Sequence, residues 1–353
     1  MIKIYSDQNH YIPDNRFFLN NITKMLWDKK GSKRGRIKSK SVKWFNFEYD
    51  LSKADIYLLT YKWNYYFNYN KIPQAEYEVL KAKQLGKPLV VFCDGDYPAN
   101  LPFEDVILFE SAGYRSTPGL RYHSAQPSYI PDYLDVYCNS HLQFRQKRVE
   151  PVIGFCGLAS TSPLQSLYRR LKLKNQQRQY QKGRLKCEPP PFETSSFRRK
   201  VLHQFNNRPG NQTKFILRKR YRAGVIEDKS LQHPAKVEFV NNILNSDYTV
   251  CMRGGGNFSV RFYETLCLGR IPIFIDTDCL LPFQDEIDYK SYFPWIDQKD
   301  LPHAAEIVRD FHAGLSRDDF IDLQKACRKL WEEHLTPNGF HRDFVKKMQD
   351  FIN

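Results

Sequence analysis

The stretch that decides the fold runs from Asp247 to Asp278 and reads DYTVCMRGGGNFSVRFYETLCLGRIPIFIDTD. Tyr248–Met252 is a short apolar run of strand-forming residues, and Ile271–Ile275 is another. Between them lie three consecutive glycines, then Asn257 and Ser259, either of which can cap a helix, then a helical stretch closed by Gly269. Strand, glycine turn, helix and strand make a βαβ unit. It sets Arg253, Gly254, Gly255 and Gly256 at the carboxyl edge of a parallel sheet, where open α/β sheets bind ligands.

The chemistry of that edge points to an anion. Glycine lets a ligand approach the backbone, and the helix N-terminus offers free N–H groups and a partial positive charge. Arg253 and Arg261 flank it, and a guanidinium can hold phosphate oxygens in a bidentate fork. Glu264 follows Arg261 by three residues, on the same helix face and about 4.5 Å further along the axis. Its carboxylate can accept from a diol while the arginines hold a diphosphate.

Working outward, strands and helices alternate on both sides. Ile2–Tyr5, Ile56–Thr60 and Leu89–Cys93 read as strands, and Phe17–Trp27 and Tyr77–Leu85 as helices. The pattern restarts after Gln146, with strands at Val152–Cys156 and Phe215–Leu217 and helices from Pro163 and over Pro234–Asn245. The tail from Ala304 reads as mostly helical. These readings predict an α/β chain of two Rossmann-like domains, residues 1–148 and 149–353 with the helical tail.

The 353 residues carry 54 Lys and Arg against 39 Asp and Glu, a net charge of +15, so polyanions are favoured partners. The basic stretch Lys29–Lys43, KKGSKRGRIKSKSVK, is a solvated loop or a clamp for an anionic acceptor or membrane surface. It has no aromatic residue on which bases could stack, which argues against nucleic acid. The eight cysteines show no C-x-x-C spacing, so reduced thiols are expected rather than a disulfide framework or zinc site. With no signal-like or membrane-spanning run, the expected location is the cytoplasm, in the soluble phase or peripheral at the inner membrane face.

At the quoted residues the sequence resembles the exostosin-like glycosyltransferases, in their bacterial-type branch. The carriers are Met252-Arg253-Gly254, Ser259-Val260-Arg261-Phe262-Tyr263-Glu264, Gly269, Ile271-Pro272-Ile273, Leu281-Pro282-Phe283 and Ile287-Asp288. Phe215–Gly224 (FILRKRYRAG) and Ile153–Gly157 (IGFCG) add to it, so the resemblance spans residues 152–296. It implies a GT-B architecture, two Rossmann-like domains facing across a cleft, the first of them binding the acceptor. It also implies a nucleotide-sugar donor, UDP- or GDP-linked, a glycan or glycolipid acceptor, inversion at the anomeric carbon and no required cofactor or metal. On it, Arg253 and Arg261 hold the diphosphate, Glu264 the ribose, and Arg218 and Arg222 are further phosphate contacts.

Sugar transfer also needs a proton acceptor for the attacking hydroxyl. Asp94 and Asp96, after the strand Leu89–Cys93, are the candidates, with Asp7 after the first strand a third. Asp94-Gly95-Asp96 has the D-x-D form of a metal-holding pair, but the phosphate site lies elsewhere, so no metal is assigned. The alternatives are a basic nucleic-acid- or polyanion-binding protein and an inactive carbohydrate-binding relative.

Overall fold

The strands form where β-branched and aromatic residues run together, and those at the centre are buried on both faces, as parallel sheets require. The computed structural model describes residues 1–26, 43–159, 163–206, 208–219 and 230–352. Arg222 and most of the stretch Lys29–Lys43 lie outside the described residues.

The strands are β1 (Ile2–Tyr5), β2 (Phe45–Phe47), β3 (Ile56–Leu58), β4 (Leu89–Cys93), β5 (Ile107–Glu110), β6 (Tyr122–Ala125), β7 (Val152–Leu158), β8 (Gln212–Arg218), β9 (Tyr248–Cys251), β10 (Ile271–Asp276) and β11 (Trp295–Asp297). The helices are α1 (Thr23–Leu26), α2 (Trp63–Asn68), α3 (Ile72–Gln84), α4 (Tyr133–Tyr137), α5 (Pro163–Gln181), α6 (Thr194–Phe205), α7 (Pro234–Leu244), α8 (Val260–Cys267), α9 (Ala304–Ala313), α10 (Arg317–Leu330) and α11 (Pro337–Ile352).

The chain divides into two units. One comprises residues 1–129, 280–284 and 333–353, the other residues 130–279 and 285–332. The first holds a parallel sheet in the order β2-β1-β3-β4-β5-β6. The second holds a parallel sheet in the order β11-β10-β9-β7-β8. Each is a doubly wound order in which the chain reverses direction across the sheet, between β1 and β3 in one unit and between β7 and β9 in the other. Ligands of open α/β sheets settle outside the carboxyl ends of the strands at such a switch point.

The mixed α/β class with parallel sheets is as expected, and the division differs from the expected one. The expected boundary near residue 148 falls inside the second unit, and the helical tail does not all stay with that unit. The last helix returns to the first, where Phe344 packs on Phe92 and Phe109 at ring separations of 6.2 and 5.4 Å. The helix expected over Phe17–Trp27 is also broken. A 3-10 turn covers Pro13–Phe18, Leu19 is extended, and Asn20 Oδ1 accepts from the N–H groups of Ile22 and Thr23 at 2.9 and 2.8 Å. That side chain offers the backbone a local alternative to a continuous helix and starts α1 afresh.

His341 on α11 is fully buried, edge-on to Phe45 at 5.8 Å, and neither ring nitrogen has a hydrogen-bond partner among the described residues. Burial pulls its pKa down to about 3. An unfolded imidazole takes a proton near pH 6.5, so this group's contribution to stability is whole above that value and is lost as pH falls toward about 3. The melting temperature of His341→Leu relative to wild type should therefore rise as pH is lowered from about 7 to about 4; a pH-independent difference would contradict the assignment.

Candidate functional site at the β7–β9 switch point

The switch point of the second unit lies where β7 ends at Leu158 and β9 ends at Cys251. The glycine turn follows β9, and α8 begins after it with Ser259 in the N-cap position. Ser259 makes no side-chain capping bond; its carbonyl accepts from the Phe262 N–H at 3.1 Å, and its hydroxyl leaves the Val260 and Arg261 N–H groups uncapped. Asn257 does not cap the helix either. It is buried, its Nδ2 donates to Asp278 O at 3.1 Å and its Oδ1 accepts from Thr277 at 2.7 Å. Its role is to tie the glycine turn to the loop after β10.

Arg261 points from the first turn of α8 onto the end of β7. Its Nη2 donates to Cys156 O at 2.8 Å, and its guanidinium carbon sits 4.3 Å from the centroid of the Phe155 ring. Its Nε is sealed from solvent and has no hydrogen-bond partner among the described residues, and none of their carboxylates is within 4.0 Å of it. Loss of hydration pulls its pKa below the usual arginine value. Gly157 makes the approach possible, since a Cβ there would stand 2.7 Å from Arg261 Nη2. The Arg253 side chain is buried against Phe192, its guanidinium carbon 5.3 Å from the ring centroid.

Glu264, one turn further along α8, is already engaged. Its Oε1 accepts from Tyr133 at 2.8 Å and from Lys236 at 2.7 Å, and among the described residues no hydrogen bond falls on Oε2. Arg328 sets this up. It forms a forked pair with Asp132 at 2.9 and 2.5 Å and donates to Cys267 O at 2.5 Å, which fixes the start of α4 against the end of α8. Arg218 is spent on the protein, donating to Glu238 at 2.6 Å and Ala235 O at 2.7 Å.

Two residues at this edge were missed in the sequence. Arg198 on α6 donates to Leu158 O at 3.3 Å and to Arg253 O at 3.3 and 3.2 Å, bridging the ends of β7 and β9. Lys236 on α7 lies 4.7 Å from the ring centroids of both Tyr133 and Phe239. Neither sits in a motif; only the packing of α6 and α7 brings them there.

In the first unit, the carboxylate oxygens of Asp94 accept from Lys62 and from Gln126, and Asp96 is exposed. Asp7 is buried; burial alone would raise its pKa, but Lys81 at 2.9 Å and the Asn9 N–H at 3.0 Å hold it below the usual range. His10 has a different setting. Its Nδ1 meets Glu78 Oε1 at 2.9 Å, which raises the imidazole pKa. Glu78 is fully buried and also accepts from Thr60 and Tyr66. No hydrogen bond falls on His10 Nε2 among the described residues.

The fold and the edge together define a doubly wound α/β unit with a cationic crevice at its switch point. Over residues 186–311 the chain matches the Exostosin GT47 domain. It is 29% identical over 99 residues to exostosin-1 of Drosophila melanogaster, covering 28% of this chain and 12% of that protein. A probable beta-1,4-xylosyltransferase of Arabidopsis thaliana is 30% identical over 81 residues, 23% of this chain and 19% of its own. A probable glucuronosyltransferase of Oryza sativa is 29% identical over 98 residues, 28% and 21% of the two chains. The chain thus spans a small part of the length of these relatives. Among solved structures, a glycosyltransferase of Rickettsia africae aligns over 100% of this chain and 99% of its own, at 10% identity and a TM-score of 0.39. An alpha1,3-fucosyltransferase aligns over 99% and 88%, at 9% identity and a TM-score of 0.38.

The close approach at Gly157 is directly testable. Gly157→Ala should push the Arg261 guanidinium off Cys156 O and cost about 1–3 kcal/mol in chemical denaturation. In an Arg261→Ala background the same change should be nearly neutral, and additive effects would show that the two residues do not meet.

Proposed function

We propose that the chain is a glycosyltransferase that moves a sugar from a nucleoside-diphosphate sugar to a hydroxyl of a glycan or glycolipid, with inversion and without a bound metal. The observation that carries the reading is Arg261, a cation at a switch point whose sealed Nε has no hydrogen-bond partner among the described residues, beside a helix N-terminus that Ser259 does not cap with its side chain. A desolvated cation without a counter-charge is costly, and a diphosphate would supply the charge. The exostosin GT47 match over the same residues supports the same donor class.

In this reading Arg253, Arg261, the turn Gly254 to Gly256 and the start of α8 hold the diphosphate, and Glu264 Oε2 receives the ribose diol. Lys236 pairs with Glu264 Oε1 at 2.7 Å and adds a cation near the phosphates. The acceptor oxygen attacks the anomeric carbon as the bond to the β-phosphate oxygen breaks, and the charge released on the diphosphate meets fixed cations and N–H groups. Within the first unit Glu78 orients the His10 ring and, among the described residues, leaves Nε2 without a hydrogen bond, a setting that suits proton acceptance. The GT-B arrangement, with the first unit binding the acceptor, the bacterial-type branch and a role in surface glycan synthesis at the cytoplasmic membrane face belong to the same proposal. A general polyanion binder has no use for the glycine turn or Glu264.

Calorimetric titration with UDP, GDP and CMP should show one nucleoside diphosphate binding, with affinity unaffected by EDTA. Arg261→Ala should weaken it by about a hundredfold or more, since charge-assisted bonds to phosphate are lost. Glu264→Gln should weaken the nucleotide while leaving inorganic pyrophosphate unchanged. Equal binding by wild type and Arg261→Ala would remove the site; binding that EDTA abolishes would return the metal role to Asp94 and Asp96.

A further inference from the structure

Helix α5 is packed through one side only. Ser166 and Leu173, seven residues apart, are buried, and Ser166 Oγ is 2.7 Å from Ser196 Oγ on α6. Arg169 reaches Ser195 at 2.9 Å and Gln177 reaches Pro190 O at 3.0 Å, closing the same side. The opposite side carries Leu164, Leu167, Tyr168 and Leu171, at 80%, 56%, 66% and 58% exposure. Their spacing of i, i+3, i+4 and i+7 makes one continuous stripe about two turns long. Isolated exposed apolar residues need no explanation, but four on one helical stripe do.

The charge around the stripe has one sign. Residues 163–186 read PLQSLYRRLKLKNQQRQYQKGRLK, with Lys or Arg at eight positions and no Asp or Glu. At 100° per residue, Lys172 and Lys174 fall on the two shoulders of the stripe, and Arg178 extends it by another two turns. We propose that this face of α5 docks on an anionic lipid bilayer, with Leu164, Leu167, Tyr168 and Leu171 entering the headgroup–acyl boundary and the basic side chains meeting lipid phosphates.

The charge pattern selects the lipid surface over a protein. A protein partner needs acids at particular positions, whereas a fluid anionic leaflet places its charges wherever the cations are. Long basic side chains can keep their heads at the headgroup level while their stems lie along the apolar zone. A short apolar stripe gives only marginal binding alone, and an adjoining polybasic patch is the second signal that makes it stable. No helix among the described residues is long and apolar enough to cross a membrane, so the contact here is with the surface. The inference does not depend on the donor-site reading, and either can fail alone.

The test is co-sedimentation of the full chain with vesicles of phosphatidylcholine alone and with phosphatidylglycerol added. Wild type should bind the anionic vesicles at least about tenfold more tightly than the neutral ones, and lose that preference in high salt. Leu167→Gln with Leu171→Gln should reduce binding by about tenfold or more, as should Lys172→Gln with Lys174→Gln. All four side chains are exposed, so the melting temperatures should be unchanged and UDP or GDP binding retained. Failure of wild type to bind either vesicle overturns the proposal. So does equal binding by wild type and the leucine variant, which would move the contact elsewhere. Sedimentation velocity gives a third contrary outcome, a wild-type dimer that the leucine variant abolishes, in which case a second copy covers the stripe.

Discussion

The second unit depends on one close approach, that of the Arg261 guanidinium to the end of β7. Nη2 takes the Cys156 carbonyl, the Phe155 ring lies 4.3 Å beneath, and the absence of a side chain at Gly157 leaves the space. The bond joins a helix that follows β9 to a strand that precedes β9, between residues 105 apart in the sequence. It therefore fixes where α8 begins, and with it the direction in which the first N–H groups and the glycine turn face. Arg198 repeats the tie from the other side by joining Leu158 O to Arg253 O. Two arginines thus hold the carboxyl ends of the strands through backbone carbonyls, which accept without neutralising them.

The same economy governs Glu264. Left alone, a buried carboxylate would be costly, and Lys236 and Tyr133 offset that through a single oxygen. Tyr133 is available only because α4 is held in place by the Asp132–Arg328 fork, which also reaches the last turn of α8. The buried fork is strong mainly because breaking it would strand a charge. Rigidity at the edge is thus supplied from α10, well behind the strands.

How much of this could be read in the sequence follows from what is local. The βαβ unit of Asp247–Asp278 was legible because its glycines, helix and strands are consecutive, and β4 and β10 emerged at nearly their observed limits for the same reason. Arg198 and Lys236 were not legible: each is an ordinary cation on a helix whose docking is tertiary. The returning α11 illustrates a different limit. Buried Phe340, Phe344 and Met348 mark a helix with a core face, but periodicity cannot say whose core it fills. Glu78 and His10 lie 68 residues apart, and only the placing of α3 beside the end of β1 brings them together.

The two units share a strand order and differ in the electrostatics of their switch points, and that difference decides where an anion can go. At the carboxyl end of β1 the buried charges are carboxylates, and each has its cation or imidazole: Asp7 has Lys81, and Glu78 has His10. Among the described residues, Lys81 and His10 there each have a negative partner. At the end of β7 the reverse holds, with an arginine whose Nε is sealed and unpaired and whose nearest fixed partners are carbonyls and aromatic faces. The first five strands of each sheet follow the same order, but among the described residues the desolvated cation that a diphosphate would offset in the proposed function stands at the end of β7. The first crevice instead holds a carboxylate-oriented imidazole, an arrangement suited to moving a proton rather than binding a charge.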